Sequence, residues 1–508
     1  MNSPVLAEET DSPAEIPPSR SGLDRGVLAV AMVVVLGAIM SILDVTVVNV
    51  AINHLSQDFD APLSTIQWVA TGYTLALATV IPITGWAADR FGTKRLYMIS
   101  IALFVLGSAL AGLAWSAESL IFCRVLQGLG GGMIMPAGMT ILTQAAGPQR
   151  IGQVMSVIGI PMLLGPIGGP ILGGWLVDDV SWRWIFYINV PIGIVALFLA
   201  LKILPRDESQ PTHRLDFLGL LFLSPGLASL IYGLATGAEH SAFDSAEVLV
   251  PSIAGAVLVC AFVVRALTAD TPLIDLRLFR RRSVAAASGT MMLFGCAFFG
   301  AMLLLPLYYQ VVRGQSALHA GLLLAPQGFG AMVTMPIGGR LTDRIGPGRV
   351  VLVGLTLVVA AFATFTAVLA ADTSFWVLGG TLFVMGLGMG MTMMPSMSAA
   401  FQTLSHEEVP RASTAMNIIQ QVAGSIGTAA MSVLLGNALA ERLPGGGSGG
   451  GLGAAQEVPK EAMAAIAPKI ADAFSHTYVW ALGLLVLAFV PALLLPRRRP
   501  DMSGMPTH

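Results

Sequence analysis

Long apolar runs alternate with short polar segments along almost the whole chain. Many of the runs reach about 20 residues, the length that an α-helix needs to cross the hydrocarbon core of a bilayer. The pattern predicts an all-α polytopic membrane protein with fourteen spans. The predicted spans are residues 27–50, 64–87, 96–114, 118–143, 151–177, 183–204, 215–236, 247–268, 284–311, 317–341, 349–371, 374–400, 411–437 and 476–496.

One polar segment between apolar runs occurs twice. GWAADRFGTKR, from Gly85 to Arg95, returns 254 positions later as GRLTDRIGPGR, from Gly339 to Arg349. The shared residues are Gly85, Asp89, Arg90, Gly92 and Arg95 in the first copy and Gly339, Asp343, Arg344, Gly346 and Arg349 in the second. A repeat of this kind indicates a duplicated architecture. We therefore expect two related six-helix bundles, with spans 7 and 8 as an inserted hairpin.

The spans and the repeat together predict where the parts of the chain begin and end. The predicted parts are a cytoplasmic tail (1–26), a first bundle (27–204), the inserted hairpin with its linker (205–283), a second bundle (284–496) and a second tail (497–508). Within the second bundle, residues 438–475 are predicted as an external loop. That loop opens with a flexible glycine-rich run and continues as a weakly amphipathic helix candidate at the outer surface.

Composition supports a membrane protein and argues against several other classes. The 508 residues are 55% hydrophobic and 11% charged, whereas soluble domains have about a quarter of their residues charged. The sequence contains no Walker-type loop, zinc-ligand spacing or CxxC motif, and its GxSxG match at residues 446–450 falls within a glycine-rich run, where it does not indicate a nucleophile. We therefore expect a transporter and not an enzyme, with no cofactor, no metal and no nucleic-acid partner. We also expect a monomer in contact with membrane lipid.

The distribution of basic residues predicts the orientation. With the N-terminus inside, 21 of the 27 Lys and Arg fall on the cytoplasmic side, five fall outside, and Arg124 lies within a span. Cytoplasmic loops of membrane proteins carry such an excess of positive charge. Both termini are therefore expected in the cytoplasm.

The repeated loop has a chemistry that suits a membrane-facing hairpin. Arg90, Lys94 and Arg95 place positive charge just outside the hydrocarbon region. Gly92 permits a turn that a residue with a Cβ atom would resist. Asp89 lies at a helix end, where it can pair with those cations or meet the positive N-terminus of a neighbouring helix. A stop-transfer signal is the alternative for one copy, but two copies in register indicate a gating element.

One acidic residue lies inside the first span. Asp44, in LDVTVVNVA, is about six residues from the outer end. A carboxyl group inside a span is energetically costly and indicates a functional site. Burial favours its protonated form, which lets such a group bind and release a proton near neutral pH. The alternative is an aspartate held by neighbouring hydroxyls, or by an arginine, for stability alone.

One cation lies inside the fourth span at a matching depth. Arg124, in RVLQGLGGGM, is also about six residues from the outer end, so both side chains are about 9 Å below the outer surface. Gln127 shares the helix face of Arg124. We expect Arg124 to face Asp44 and to stabilise its carboxylate. An arginine that extends to the outer surface is the alternative.

Span 5 carries a stripe of small residues. Gly165, Gly169 and Gly173 are four residues apart, a spacing that lets helices approach closely, and Pro166 bends the helix. This predicts a sliding or pivoting contact. The candidate substrate contacts are amide or aromatic residues in the spans, namely Gln127, Tyr73, Phe298, Tyr309, Gln327 and Asn417.

These motifs resemble those of the major facilitator superfamily, and specifically of its drug:proton antiporters with fourteen spans. GWAADRFGTKR is similar to the superfamily's loop motif between helices 2 and 3. LDVTVVNVA, RVLQGLGGG, GPIGGPILGG and WRWIFYINVPIG are similar to the antiporters' motifs in spans 1, 4, 5 and 6. The resemblance covers about residues 27–437.

The resemblance implies two six-helix bundles that rock about a central cavity in a bacterial inner membrane. It implies export of a hydrophobic or amphipathic small molecule, such as a drug or antibiotic, in exchange for protons. Asp44 would take part in proton coupling and Arg124 would modulate its protonation. Spans 9–14 hold no acid at mid-depth, which leaves export or flipping of a lipid or an endogenous metabolite as the alternative.

Two further classes fit the sequence less well. A channel would need a polar-lined path, and a receptor would not need an acid and a base at matched depth. For the gate, Asp89→Asn is expected to slow alternation and spare cargo affinity. Asp343→Asn is expected to act in the same direction but more weakly, because the second loop lacks a counterpart of Lys94.

Overall fold

A computed structural model of the chain describes residues 24–147, 150–205, 214–240, 243–405, 407–442 and 460–497. The helices of the first bundle are α1 (Arg25–Asp58), α2 (Leu63–Val80), α3 (Thr84–Phe91), α4 (Thr93–Gly112), α5 (Ala117–Ala146), α6 (Ile151–Asp179), α7 (Trp184–Tyr187) and α8 (Asn189–Ile203). A 3₁₀ turn, Ile81–Ile83, joins α2 to α3. The first bundle therefore contains six spans, because α2 with α3, and α7 with α8, each form one.

The inserted hairpin and the second bundle follow. The hairpin is α9 (Phe217–His240) and α10 (Ala246–Thr268). The second bundle comprises α11 (Arg282–Leu307), α12 (Ala317–Ile345), α13 (Pro347–Val368), α14 (Phe375–Gly390), α15 (Met393–Phe401), α16 (Val409–Arg442), α17 (Lys460–Leu487) and α18 (Phe489–Ala492). Here α14 with α15, and α17 with α18, each form one span.

The described helices account for the fourteen predicted spans. Thirteen segments are long and apolar enough to cross a membrane. The remaining span is α6, a helix of 29 residues, part of whose side chains lie outside the description. Only helices and closed barrels satisfy all their backbone hydrogen bonds within a bilayer, so the all-helical architecture is the one that the apolar runs require. The predicted fold class is confirmed.

The last span differs from its prediction. A separate helix at the outer surface was expected before residue 476, but Lys460–Leu487 forms one continuous helix. Its first turns therefore extend the span instead of lying flat on the membrane. The glycine-rich run of the predicted external loop lies outside the described residues, and so do most of the two predicted tails.

The inserted hairpin contacts both bundles through α9. The Ser224 hydroxyl donates to the Thr79 carbonyl of α2 at 2.6 Å, and the ring of Tyr232 stacks on Trp68 with centroids 5.7 Å apart. On the other side, the Ser432 hydroxyl of α16 donates to the Ala238 carbonyl at 2.5 Å. The hairpin thus lies over the seam between α2 and α16.

One end of the molecule carries most of the basic loops, and we call it the basic end. It is defined by Arg90 in the last turn of α3, Arg95 in the first turn of α4, Arg344 in the last turn of α12 and Arg282 at the start of α11. All of these arginines are exposed. Gly92 and Gly346 form the hairpin turns there with φ of 86° and 89°. Left-handed backbone of this kind favours glycine, which explains why both copies of the loop carry it.

Candidate functional site

The central feature of the first bundle is a fully buried ion pair. Arg124 Nη1, on α5, donates to Asp44 Oδ2, on α1, at 2.5 Å. The two side chains are 1% and 0% exposed. The structure therefore brings together the two residues that the sequence had placed at the same depth in the membrane.

Two amides complete the shell around the carboxylate. Gln127 Nε2 donates to Asp44 Oδ1 at 2.7 Å, and Asn189 Nδ2 donates to the same oxygen at 3.1 Å. Asn189 is held in turn by Ser108 Oγ, also at 3.1 Å. Every polar contact of Asp44 described here comes from a donor, an arrangement that suits a carboxylate better than a protonated acid.

Arg124 is held on its other sides by the backbone and by aromatic rings. Its Nε donates to the Val69 carbonyl at 3.1 Å, and its Nη1 also donates to Gln127 Oε1 at 2.7 Å. The guanidinium lies 4.1 Å from the ring centroid of Tyr73 and 5.7 Å from that of Phe186. Cation–π contacts of this kind gain strength when they are shielded from water, so the cation is stabilised without reaching the surface. The alternative of an outward-pointing arginine is therefore wrong.

We call Asp44, Arg124, Gln127, Asn189 and Ser108 the Asp44 cluster. Sequence reasoning placed Gln127 and Tyr73 among the substrate contacts, whereas in this structure Gln127 is 0% and Tyr73 1% exposed and both contact Arg124. Asn189 and Ser108 were missed. The available signal for Asn189 was an amide inside the apolar run that follows WRWIFY.

The glycine stripe of α6 packs against the helix that carries Asp44. Thr46 Oγ1, on α1, donates to the Gly165 carbonyl at 3.2 Å. A Cβ atom on Gly173 would lie 3.1 Å from Val47 Cγ1, and Gly169 lies against Thr46. Close approach of α6 therefore positions the turn of α1 that follows Asp44. The side chain of Pro166 lies outside the described part of the structure.

The acidic residues of the repeated loops cross between the bundles at the basic end. Asp343 Oδ1 and Oδ2 accept from the backbone N–H groups of Gly152 and Gln153, at 2.9 and 3.1 Å. These are the first-turn donors of α6, so Asp343 caps that helix from the other bundle. Reciprocally, Asp89 contacts Arg411, in the first turn of α16, at 3.3 Å. Each bundle thus holds the fifth span of the other, α6 and α16 respectively.

Close backbone contacts reinforce this closure. A Cβ atom on Gly85 would lie 3.3 Å from Arg411 Cα, and one on Gly152 would lie 2.6 Å from the Gly339 carbonyl. The Ser413 hydroxyl donates to the Pro136 carbonyl at 2.9 Å, which also joins the bundles. The structure is therefore closed at the basic end.

Lys94 contacts a helix of its own bundle, although the sequence comparison of the two loops had suggested that its absence weakens the second loop. Its ammonium group donates to the carbonyls of Leu201 and Leu204 at 2.9 and 2.6 Å, at the end of α8. In the second bundle the corresponding residue is Gly348, whose backbone N–H donates to the Pro496 carbonyl at 2.9 Å. Both contacts tie a loop to the end of the sixth span of its own bundle. The lack of a second lysine therefore does not weaken the contact made by Asp343.

We expect Asp343→Asn to slow transport at least as much as Asp89→Asn. An asparagine keeps one acceptor oxygen, but its NH₂ group faces a backbone donor, so about 1 kcal/mol of capping energy is lost. That loss shifts the balance away from closure at the basic end by about fivefold. Transport assays with cargo-binding measurements on both variants test this, and Asp372→Asn, exposed at the opposite end, is the matched control. Lost cargo affinity with normal turnover would contradict a gating role.

The remaining substrate candidates do not form one site. Phe298 and Gln327 line a small apolar cavity inside the second bundle, where Phe298 stacks on Phe294 at 6.1 Å. Tyr309 is not among the residues that line it and packs instead on Tyr308 at 5.3 Å. Asn417 Nδ2 donates to the Ser413 carbonyl of its own helix at 2.8 Å. Among the described residues, no group of three or more His, Cys, Asp or Glu could hold a metal ion.

Known proteins of similar sequence and structure include transporters. A family model described as Major Facilitator Superfamily matches residues 34–428. The multidrug resistance protein B homolog of Mycobacterium tuberculosis is 44% identical, over 98% of this chain and 97% of that protein. The multidrug export protein EmrB of Haemophilus influenzae is 34% identical over 82% of each chain. Among solved structures, the human organic anion transporter MFSD10 (TETRAN) superposes with a TM-score of 0.58 at 17% identity, over 90% of this chain and 99% of that one.

Proposed function

Because this chain belongs to the major facilitator superfamily, we propose that it is a proton-coupled antiporter that exports hydrophobic or amphipathic small molecules. It is a multi-pass membrane transporter and not an enzyme. Export of drugs is supported by the names of the relatives, which are a multidrug resistance protein and a multidrug export protein. The observation that carries the coupling proposal is the buried Asp44–Arg124 pair.

The coupling step follows from the donors around Asp44. In the arrangement closed at the basic end, Arg124, Gln127 and Asn189 all stabilise the carboxylate. Protonation of Asp44 would remove the charge that Arg124 compensates and weaken the contact between α1 and α5. A change of conformation that separates these helices would favour protonation in return. One proton can in this way be exchanged for each change of access.

The gate follows from the contacts between the bundles. Asp89 contacts Arg411 of the second bundle, Asp343 caps α6 of the first, and together they close the basic end in this structure. If the bundles rock about the centre, the reciprocal loops must separate before the basic end can open. Because the loop is repeated, an aspartate at the same loop position in each bundle contacts the fifth span of the other bundle.

A lipid or an endogenous metabolite is the second candidate cargo. Two small cavities lie within the second bundle, and no charged side chain lines either of them. Their walls are phenylalanine, methionine and smaller apolar residues, with two glutamines and a serine. Methionine is adaptable and fits varied apolar shapes. If a change of conformation widens these cavities, their uncharged lining suits neutral or lipid-like cargo better than a strongly cationic drug.

Transport in everted vesicles tests the proposal. Everted vesicles that contain the protein are energised so that their interior becomes acidic. A panel of dyes, antibiotics and fluorescent lipids is then added outside. We expect uptake of at least one compound that collapses on addition of a protonophore, together with a proton efflux signal. Uptake that persists unchanged without the gradient would contradict antiport.

We propose that the basic end faces the cytoplasm of a bacterial cell and that both termini lie there. Ser405 is exposed at the basic end and Ser374 at the opposite end. In a variant whose exposed Cys260 is replaced by Ser, Ser374→Cys is expected to react with an impermeant maleimide in intact cells. Ser405→Cys is expected to react only after the cells have been permeabilised. The reverse pattern would invert the orientation and place the closed gate outside.

A further inference from the structure

An open pocket lies at the basic end of the second bundle, away from the seam between the bundles. It has a volume of about 730 Å³. Its walls are the start of α11 with Thr403 on one side and the segment after α18 on the other. The lining residues are Arg281, Arg282, Ser283, Thr403 and Leu493–Arg497.

One of the lining arginines is already neutralised by a protein carboxylate. Arg281 donates to both carboxylate oxygens of Glu408, at 2.7 and 2.9 Å, and to the Thr403 carbonyl at 2.8 Å. Burial raises the pKa of Glu408, but hydrogen bonds from the Ser405 N–H and from Arg281 outweigh it, so this pKa lies below its usual value. The pair is therefore ionised at neutral pH, and Arg281 acts as part of the wall.

The other two lining arginines have no carboxylate among the lining residues. Arg282 and Arg497 are exposed, and Arg497 makes a long hydrogen bond of 3.4 Å to the Leu493 carbonyl. Glu407 is exposed nearby but does not line the pocket. Ser283 brings the N-terminus of α11, a helix of 26 residues, to the same wall, which adds partial positive charge. Among the residues that the structure describes, the pocket therefore carries two positive charges that no carboxylate pairs with, beside a helix N-terminus.

The rim of the pocket on the α18 side is apolar and exposed. Leu493 and Leu494 are 49% and 46% exposed, and Val490 and Leu487 continue the strip along the span at 60% and 51%. On a membrane span, exposed apolar side chains face the acyl chains of lipid. A cationic pocket thus opens directly onto a lipid-facing strip, and a ligand that fills both must have an anionic head and an apolar tail.

The corresponding place in the first bundle has the opposite charge pattern. There Asp24, at the start of α1, pairs with Arg150, which precedes α6, at 2.7 Å. In the second bundle Arg281 precedes α11 and Glu408 precedes α16. The N-cap position is therefore Asp24 in the first bundle and Arg281 in the second, whereas the first helical residue is an exposed arginine in both, Arg25 and Arg282.

We propose that this pocket binds the headgroup of an anionic phospholipid from the leaflet at the basic end. The phosphate lies between Arg282 and Arg497, and an acyl chain follows Leu493 and Leu494 along the strip. Basic pockets between helices on the cytoplasmic side of membrane proteins bind such headgroups. The lipid joins the start of α11 to the end of the last span and is distinct from any cargo between the bundles.

Native mass spectrometry of the full-length protein in neutral detergent tests the site. Dioleoyl phosphatidylglycerol is titrated against dioleoyl phosphatidylcholine, and the variant is Arg282→Gln with Arg497→Gln. We expect phosphatidylglycerol to bind the wild type more tightly than phosphatidylcholine. The variant is expected to bind phosphatidylglycerol about 25-fold more weakly, at about fivefold for each arginine near a membrane surface, with phosphatidylcholine unaffected.

The matched control is Arg277→Gln with Arg280→Gln, which removes two exposed cations of the same linker that do not line the pocket. We expect less than about a twofold change, because diffuse attraction is all that these residues supply. Equal losses in the two double variants would overturn the proposal. Displacement of the lipid by glycerol 3-phosphate at equal concentration would also overturn it, since it would identify a soluble phosphate as the ligand. If the double variant does not purify as a single species, Arg282→Gln alone is measured, with a fivefold loss expected.

Discussion

Asp44→Asn is expected to reduce proton-driven export to background while the protein still inserts, folds and binds cargo. Asparagine keeps the size of the side chain and one acceptor oxygen, but it does not ionise. No proton can then be exchanged at the centre of the Asp44 cluster. The assay is export against a concentration gradient in vesicles with an imposed proton gradient, beside cargo binding to purified protein. Export at the wild-type rate would show that coupling resides elsewhere.

A second aspartate on the same helix provides the control for this experiment. Asp58 is half exposed at the opposite end of α1, where it pairs with Arg183 at 3.5 Å and accepts from Trp182 Nε1 at 2.8 Å. Asp58→Asn removes one carboxylate from α1 without touching the cluster. It is expected to export normally, because exposed ion pairs contribute little. A loss equal to that of Asp44→Asn would mean that the assay reports the integrity of α1 and not coupling.

Arg124→Ala is expected both to destabilise the protein and to move the pH dependence of transport to more alkaline values. Removing one partner of a buried pair costs about 3–5 kcal/mol, because the remaining charge is left without compensation. In its absence Asp44 favours the protonated form, so a higher pH is needed to release the proton. Thermal unfolding and transport rate measured against pH give the two readouts. An acid-shifted profile would contradict the assigned role.

Arg124→Lys separates the charge from the geometry. Lysine keeps a positive charge near Asp44, but it cannot also donate to the Val69 carbonyl through a planar fork or stack in the same way on Tyr73. We expect a pH profile between those of the wild type and Arg124→Ala. Arg183→Ala is the surface control, and it should leave the profile unchanged and stability within about 1 kcal/mol.

The sequence by itself determined the architecture of this protein. A bilayer offers no hydrogen bonds to an open backbone, so each crossing must be a helix of about 20 apolar residues, and such runs can be counted directly. The repeat of GWAADRFGTKR as GRLTDRIGPGR then fixed the two halves and the inserted hairpin. Charge inside a span is rare and costly, so Asp44 and Arg124 were visible as candidates, and equal depth along their helices was enough to match them.

The tertiary structure decided which side chains complete each contact. The position of a residue along a span gives its height in the membrane but not the direction in which its helix turns the side chain. The contacts of Asn189 with Asp44 and Ser108 were therefore not predicted. Gln127 moved from a substrate candidate to a partner of Asp44 for the same reason.

At the gate, too, the sequence indicated the candidate residues and the tertiary structure determined their partners. The sequence indicated that Asp89 and Asp343 lie at helix ends beside cations. Their actual partners, Arg411 and the first turn of α6, lie 322 residues from Asp89 and about 190 from Asp343 along the chain. Such contacts follow from the packing of one bundle on the other, because a carboxylate binds whichever donor the packing brings within about 3 Å, and no spacing within a single span encodes that choice.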